Sequence, residues 1–557
     1  MTETLMVNCI DPSPLPLSHA FAKASARRPE ERDSVSGSAE ASMIADFDTV
    51  AGSSNAALTF SLNPFVRLRS LKSHTQRETM TGCIKFQKRA LRARVIGYSG
   101  AMLSMFMALH SRAAEYRVTS AVEIEQAAAR VRPGDVLVMS DGDWRDQPIV
   151  FTGRGTPGKS IALRARTPGK VSLVGKSSLV IDGEHLEVSG LFLKDGERTG
   201  DGVRLAGSHC RLTETAITGG AYKFLVHVFG TSNRVDRCYL ADKTNDNPTM
   251  QIEVEGRPNY HRIELNHFGP RPPLGRNGGE TIRVGYSHQS MTNSGTVVEG
   301  NLFDRCDGEL EIISSKSCEN IYRANTFADC AGTLTLRHGN RCVVEGNFFL
   351  GHHKKGSGGI RVIGEDHVIV NNYIDGVAQG GIWITAGIPD SELKGYFQAR
   401  NCVIAFNTIV DSSGPCVQLD TGMGTSRRTL RPENITVANN LFSPGRDGVL
   451  FRGTEGAGWR WFGNVAAGPG MEHAGLRVTD PKLTRAPDGL LRPAPDSPVR
   501  GAAERITVPV RIDMDGQDRS SPAETGSDQI SRAPVKRRPL TPGDVGPSWL
   551  ERRRVQP

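Results

Sequence analysis

The sequence predicts an all-β solenoid, a single-stranded parallel β-helix with an N-terminal capping helix. Three observations carry that expectation. A short phrase returns through residues 190–464: apolar residues, a polar residue that is usually asparagine, then two more apolar residues. Its strong copies centre on Asn301, Asn325, Asn347, Asn372, Asn407, Asn440 and Asn464, with weaker ones at Gly190, Thr215, Cys238 and Asn266. The steps run from 22 to 35 residues and cluster near 24, the length of one solenoid turn. Between copies, apolar and polar residues alternate as in strands, with no helical period. Finally, 557 residues with 38% hydrophobic content are too many for one compact core, whereas stacked coils bury their apolar faces on one another. The leucine-rich consensus is absent, and propeller blades are longer.

Taken in order, residues 1–79 lack sustained periodicity and are rich in Ser, Ala and charge, so disorder is expected, or an extension upstream of a true start at Met80. Residues 80–114 resemble a secretory signal. Lys85, Lys88, Arg89, Arg92 and Arg94 precede an uncharged apolar run at 95–109, and Ser111-Arg-Ala113-Ala114 supplies the small residues of a cleavage site. This implies a secreted or periplasmic protein; a buried segment or signal anchor is the alternative. The run of 15 residues is short for a stable membrane span. Residues 119–131 read as a helix, N-capped by Thr119 or Ser120, that covers the first coil. Strand-like runs follow from about 145 to 470, within a β-helix domain of residues 115–500. A short cap is expected at 490–499, then a poorly ordered tail over 501–557. Asparagine tolerates left-handed backbone, which suits a repeated turn, and stacked asparagines can bond one another in a ladder.

The net charge of +8 suits a polyanionic partner, and an acidic glycan ranks first. No nucleic-acid motif is present, and 9 Tyr and 5 Trp are few for base stacking. Among 10 Cys, Cys306 and Cys330 are one coil apart, as are Cys318 and Cys342; stacked thiols and disulfides both remain open.

Alternation after the asparagine turns places Arg283, Glu311, Thr335, Arg361, Trp383 and Gln418 in one outward row, with Glu309 on the same face as Glu311. A 24-residue shift sets Glu309 beside Thr333 and Ile313 beside Arg337, with Lys316 close by. Paired carboxylates repel unless a cation joins them. A hard cation, Ca²⁺ first, satisfies that need, as does a salt-bridge network with Arg283 and Arg361. The turn His352-His353-Lys354-Lys355 reads as a solvated loop or a basic flap over substrate. A zinc site there lacks carboxylate or thiol partners.

These residues also carry a resemblance. Asn277-Gly-Gly-Glu280-Thr-Ile-Arg283, Cys306-Asp-Gly-Glu309-Leu-Glu311-Ile-Ile-Ser-Ser-Lys316, Leu334-Thr-Leu-Arg337-His338-Gly and Gly358-Gly-Ile-Arg361 resemble polysaccharide lyase family 6, the family of chondroitinase B and alginate lyases. The resemblance covers residues 115–500 and is densest over 277–375. It implies a right-handed parallel β-helix and a Ca²⁺-assisted β-elimination on a uronate polymer, alginate or, second, dermatan sulfate. By resemblance, Lys316 is the Brønsted base and Arg337 the acid. Asn277, Glu309 and Glu311 are the Ca²⁺ ligands, and His338, Arg361 and Arg283 bind substrate. Glu280 joins the metal shell or braces it. A lysine base must be neutral, and nearby positive charge favours that form. Arginine is a poor proton donor, so Arg337 would mainly stabilise charge on the leaving oxygen, with the proton delivered through water. The rival classes are a non-catalytic glycan-binding β-helix and a glycoside hydrolase with paired carboxylates. Oligomeric state is open.

Overall fold

A computed structural model describes residues 113–468, 473–519 and 523–550. Each coil contributes one short strand to each of three long sheets of 14, 12 and 14 strands. Pairing between coils is parallel throughout these sheets, and the solenoid is right-handed. The expected all-β architecture is therefore present. The 12-stranded sheet carries the site and is called the site sheet below. The others are the first and third sheets, in chain order.

The interior consists of stacked like residues. Phe268, Phe303, Phe327 and Phe349 lie one above another in the third sheet, with successive centroids 4.9, 4.6 and 4.5 Å apart. At the corner between the first and third sheets, the asparagines form a buried ladder. Asn266, Asn301, Asn325, Asn347, Asn372, Asn407, Asn440 and Asn464 each hand hydrogen bonds to the next. The Nδ2 and backbone N–H of Asn325, for example, both donate to Asn347 Oδ1 at 3.0 Å. The backbone reasoning for asparagine needs correction, however. Positive φ falls on the residue before each ladder asparagine: Ala324 (52°), Gly346 (61°), Asn371 (57°), Phe406 (54°) and Asn439 (56°). The ladder asparagine is selected for its side chain, because a buried turn must satisfy its own N–H and C=O groups.

The helix spans Ala121–Ala128, shorter than the sequence suggested, with Ser120 as N-cap. Ser120 Oγ accepts from Glu123 N at 3.2 Å, and Glu123 Oε2 accepts from Thr119 N at 2.7 Å. Ile124 and Ala127 are buried over the first coil, so the helix caps the core as expected.

The C-terminal segment corrects the expectation of a poorly ordered tail. Residues beyond 480 return along the outside of the third sheet. Leu491 N donates to Tyr373 Oη (2.7 Å), Ser527 N to Thr408 Oγ1 (2.9 Å), Leu540 N to Thr326 Oγ1 (2.8 Å) and Trp549 Nε1 to Glu214 O (2.7 Å). The cause is that this sheet is apolar on both faces. Phe348, Tyr373 and Val410 point outward and are covered by Leu490 and Met514, while Val499 covers Leu441 and Val465. The expected cap at 490–499 thus sits on the sheet's flank. Asp513, Asp515 and Asp528 cluster within this segment, where Arg492 bonds Asp515 at 2.8 Å and Asp528 at 3.1 Å.

The eight cysteines among the described residues are buried free thiols, and Cys306 N donates to Cys330 Sγ at 3.3 Å. Of the signal-like segment, residues 80–112 lie outside the described residues, as do residues 1–79. Among the described residues, no helix is long and apolar enough to cross a membrane.

Candidate active site

The outward row of the site sheet runs Arg204, His227, Gln251, Arg283, Ser314, Thr335, Arg361, Trp383, Gln418. This corrects the sequence reading at one coil, where Ser314 occupies the place expected of Glu311. Strand Glu311–Lys316 carries register shifts on both sides of its centre. They set Glu311 opposite Thr333 and Lys316 opposite His338, rather than Glu309 opposite Thr333 and Ile313 opposite Arg337. They also leave Leu310, expected inside, 39% exposed. Bulges re-aim side chains in this way, and here they turn Glu311 and Lys316 toward one patch.

Glycine turns bring the carboxylates together. A Cβ on Gly308 would lie 2.1 Å from Gly279 O and 2.5 Å from Arg271 Nε, so only glycine allows the two turns to touch. Glu280 and Glu309 then approach one another. Glu280 is 1% exposed; its Oε1 lies 3.5 Å from Arg283 Nη1 and 3.7 Å from Lys316 Nζ. Gly278 N donates to Glu309 Oε2 at 3.2 Å. Glu311 Oε1 lies 3.7 Å from both Arg337 Nε and Arg361 Nη1, and its Oε2 accepts from Ser314 Oγ. Burial, with Glu280 and then Glu311 as like-charged neighbours, pushes Glu309 up to about 8. Glu309 Oε1 and Glu280 Oε2 are buried without a hydrogen-bond partner. Two unpaired carboxylate oxygens, with like charges crowding Glu309, fit a hard divalent cation. Asn277 is exposed in the adjoining turn, one residue from the amide that binds Glu309. Among the described residues, the three glutamates do not gather within ligand distance of one another as Asp513, Asp515 and Asp528 do.

Lys316 and Arg337 occupy one wall, on paired strands, Lys316 against Glu280 and Arg337 against Glu311. His338 is fully buried rather than facing solvent. Its Nε2 meets Ser287 Oγ at 3.1 Å and its Nδ1 meets Arg337 Nη1 at 3.4 Å. Burial first, then Arg337 and Lys316, pushes its imidazole down to about 3, so it is neutral and braces Arg337. Arg283 Nε donates to Gln251 Oε1 at 2.7 Å and stacks over Tyr286. Arg361 is 8% exposed.

The turn at 352–355 forms no flap over this patch. His352 pairs with Asp329 (2.8 Å), His353 with Asp411 (3.1 Å) and Lys354 with Asp307 (2.7 Å), so these three side chains are each held by a carboxylate. With Asp375, Arg485 and Asp488, the two histidines line a cavity of about 310 Å³ beside the C-terminal segment.

Sequence reasoning missed two groups. Tyr396 stands against Arg337 and Arg428, each guanidinium about 4–5 Å from its ring centre. Its signal was the long 35-residue step from Asn372 to Asn407, and that of Arg428 the 33-residue step to Asn440, since surplus length in a coil must leave the solenoid. His227, held by Asp201 and Glu253 at 2.8 Å each, extends the outward row.

A family profile for chondroitinase B matches residues 118–456. The chain belongs to polysaccharide lyase family 6. Among solved structures it is similar to the family 6 alginate lyase AlyGC, with 35% identity over 80% of this chain and a TM-score of 0.69. It spans 60% of AlyGC's length. It is also similar to a mannuronic acid specific family 6 lyase from human gut microbiota, with 32% identity, 66% of this chain, 87% of that one and a TM-score of 0.57. A third neighbour is a family 6 lyase from Pseudopedobacter saltans, with 25% identity, 78% and 99% coverage and a TM-score of 0.62. No curated protein matches significantly.

Proposed function

We propose that this protein is a polysaccharide lyase that cleaves a uronate polymer, alginate first, by β-elimination. The observation that carries this reading is that Lys316 and Arg337 lie on paired strands of one wall, each 3.7 Å from a carboxylate, Glu280 and Glu311 respectively. Lys316 takes the C5 proton of the uronate, and the electrons form the C4=C5 bond as the C4–O4 bond breaks. Glu280, at 3.7 Å, orients the amine. Arg337, braced by neutral His338, stabilises charge developing at O4. Arg283 and Arg361 hold the anionic sugars on either side. Glu309 and Glu311, with Asn277 and Glu280 nearby, would hold Ca²⁺. A bound cation would neutralise the substrate carboxylate and so ease removal of the neighbouring proton.

Alginate is favoured because the neighbours at 35% and 32% identity are described as alginate and mannuronic acid lyases. Dermatan sulfate is the second reading, favoured by the chondroitinase B profile. The basic, apolar and small-residue pattern of residues 80–114 supports export, where a polymer is accessible. The test is incubation with alginate, purified mannuronate and guluronate blocks and dermatan sulfate, with and without a chelator. Ultraviolet absorbance from an unsaturated uronate is expected. Reducing ends without that absorbance would mean hydrolysis, and neither product would mean a binding protein.

A further inference from the structure

The step from Asn266 to Asn301 is 35 residues, and its surplus forms the turn that carries Asn277, Gly278 and Glu280. A buried guanidinium holds that turn. Arg271 bridges to Cys306 in the next coil and is 2% exposed. Its Nη1 donates to Thr249 Oγ1 (2.8 Å). Its Nη2 donates to Asn247 O (2.8 Å), Asn245 O (3.2 Å) and Gly278 O (3.5 Å). Its Nε has no hydrogen-bond partner and lies against Gly308, where any Cβ would come within 2.5 Å. Beside it Lys243, 1% exposed, donates to Tyr222 O (3.1 Å), to Asp246 O (2.8 Å) and to Asn245 Oδ1. Neither cation has a carboxylate partner among the described residues.

A buried charge needs a reason, since a neutral amide could bond the same carbonyls. For Arg271 the reason lies across the contact of Gly279 with Gly308, because the residues that follow these glycines are Glu280 and Glu309. Burial pushes the guanidinium down to about 10, and of the carboxylates that oppose this Glu280 comes first and Glu309 next. Gly278 joins the two charges. Its carbonyl accepts from Arg271 and its amide donates to Glu309 Oε2 at 3.2 Å, with a φ of 104° that glycine adopts freely. We propose that Arg271 is a positioning residue for the candidate metal pocket, holding the Asn277–Gly278 turn and Glu309 in place before a cation arrives. This rests on the calcium reading above. A planar fork pins three carbonyls of two turns at once, which a single ammonium nitrogen does not reproduce. A cation then meets donors that are already aimed, and groups that orient metal ligands in this way typically contribute about 10–100-fold in affinity. Lys243 braces the 245–246 turn from its other side and makes no bond to Gly278.

Calcium binding to the full-length protein is measured by calorimetry, independently of turnover. Arg271→Lys keeps the charge and loses the fork, and its Kd should rise by about 10–100-fold. Thr249→Val is isosteric and removes one acceptor of the fork, so a rise of about three- to tenfold is expected. Arg276→Ala is the control. Arg276 neighbours Asn277 but is exposed and bonds Asp246 alone, so Kd should stay within about threefold. A general loosening of the turn would raise Kd in all three variants, and a purely structural role would lower the melting temperature with Kd unmoved. An unchanged Kd in Arg271→Lys, or an equal rise in Arg276→Ala, would overturn the positioning role and leave the calcium reading intact. Should Arg271→Lys fail to fold, Thr249→Val decides, and wild-type affinity there overturns the role. A wild-type protein that takes up no calcium would overturn the calcium reading itself.

Discussion

At the residue scale, the site depends on charges that neutralise one another only in part. Lys316→Ala and Arg337→Ala should each lower turnover by about 10²–10⁴-fold while circular dichroism stays native, since the proposed elimination has both groups act on the reacting atoms. Glu309 allows a sharper test. In the metal-free protein its carboxyl holds a proton up to about pH 8, because ionisation there is opposed by burial and by two neighbouring carboxylates. A cation must displace that proton. Calcium affinity should therefore rise by up to about tenfold per pH unit and level off above about 8. Calorimetry in buffers of different ionisation enthalpy should show up to about one proton released at the lower pH. The linkage has a definite sign. The unfolded chain loses this proton near the ordinary carboxylate value of about 4.3, so the folded form binds more protons between there and 8 and metal-free stability declines with rising pH in that window. The melting-temperature gap between calcium-loaded and metal-free protein should widen accordingly; a gap independent of pH would contradict the proposed ligand role of Glu309.

At the element scale, the asparagine ladder is the most sequence-legible device and the most exacting one. Asn347 accepts from Asn325 N and Nδ2 and donates to Tyr322 O at 3.0 Å and to Asn372 Oδ1 at 2.9 Å. Asn347→Ala strands several buried groups at once, and each such group costs about 1–3 kcal/mol. A stability loss on the order of 3 kcal/mol is expected in chemical denaturation, against about 1–2 kcal/mol for Asn401→Ala, an exposed asparagine off the ladder whose φ of 56° alanine tolerates less well. The period of the ladder was legible because every coil repeats one corner. The local register of the site strand was not. Its bulges insert residues without changing the spacing of the corners, so a uniform 24-residue shift misplaced Glu309, Glu311 and Ile313 relative to their neighbours.

At the scale of the whole molecule, the C-terminal segment completes the third sheet. Removing residues 481–557 should expose Phe348, Tyr373, Val410 and Leu441 and yield a protein that binds a hydrophobic dye and aggregates at lower temperature than the full chain. A truncated protein as soluble and heat-resistant as the full chain would show that this cover is dispensable. The doubly apolar strands, such as Phe348–Leu350, carried the signal that something must lie over them, although the tail's own sequence has no periodicity with which to announce it.

The sequence by itself determined the solenoid, its period, the capping helix and the ladder, because those follow from spacing that every coil repeats, whereas the residues of the proposed site were named by their resemblance to family motifs. Only the tertiary structure decided which residues share a register across the bulged strands, that His338 is buried as a brace, and that two excursions bring Tyr396 to Arg337 from 59 residues away along the chain. It also decided where the tail lies. The physical reason is common to all of these: repeated contacts are local in the period and visible in the pattern, whereas each irregular contact is made once, by chain that has left the repeat.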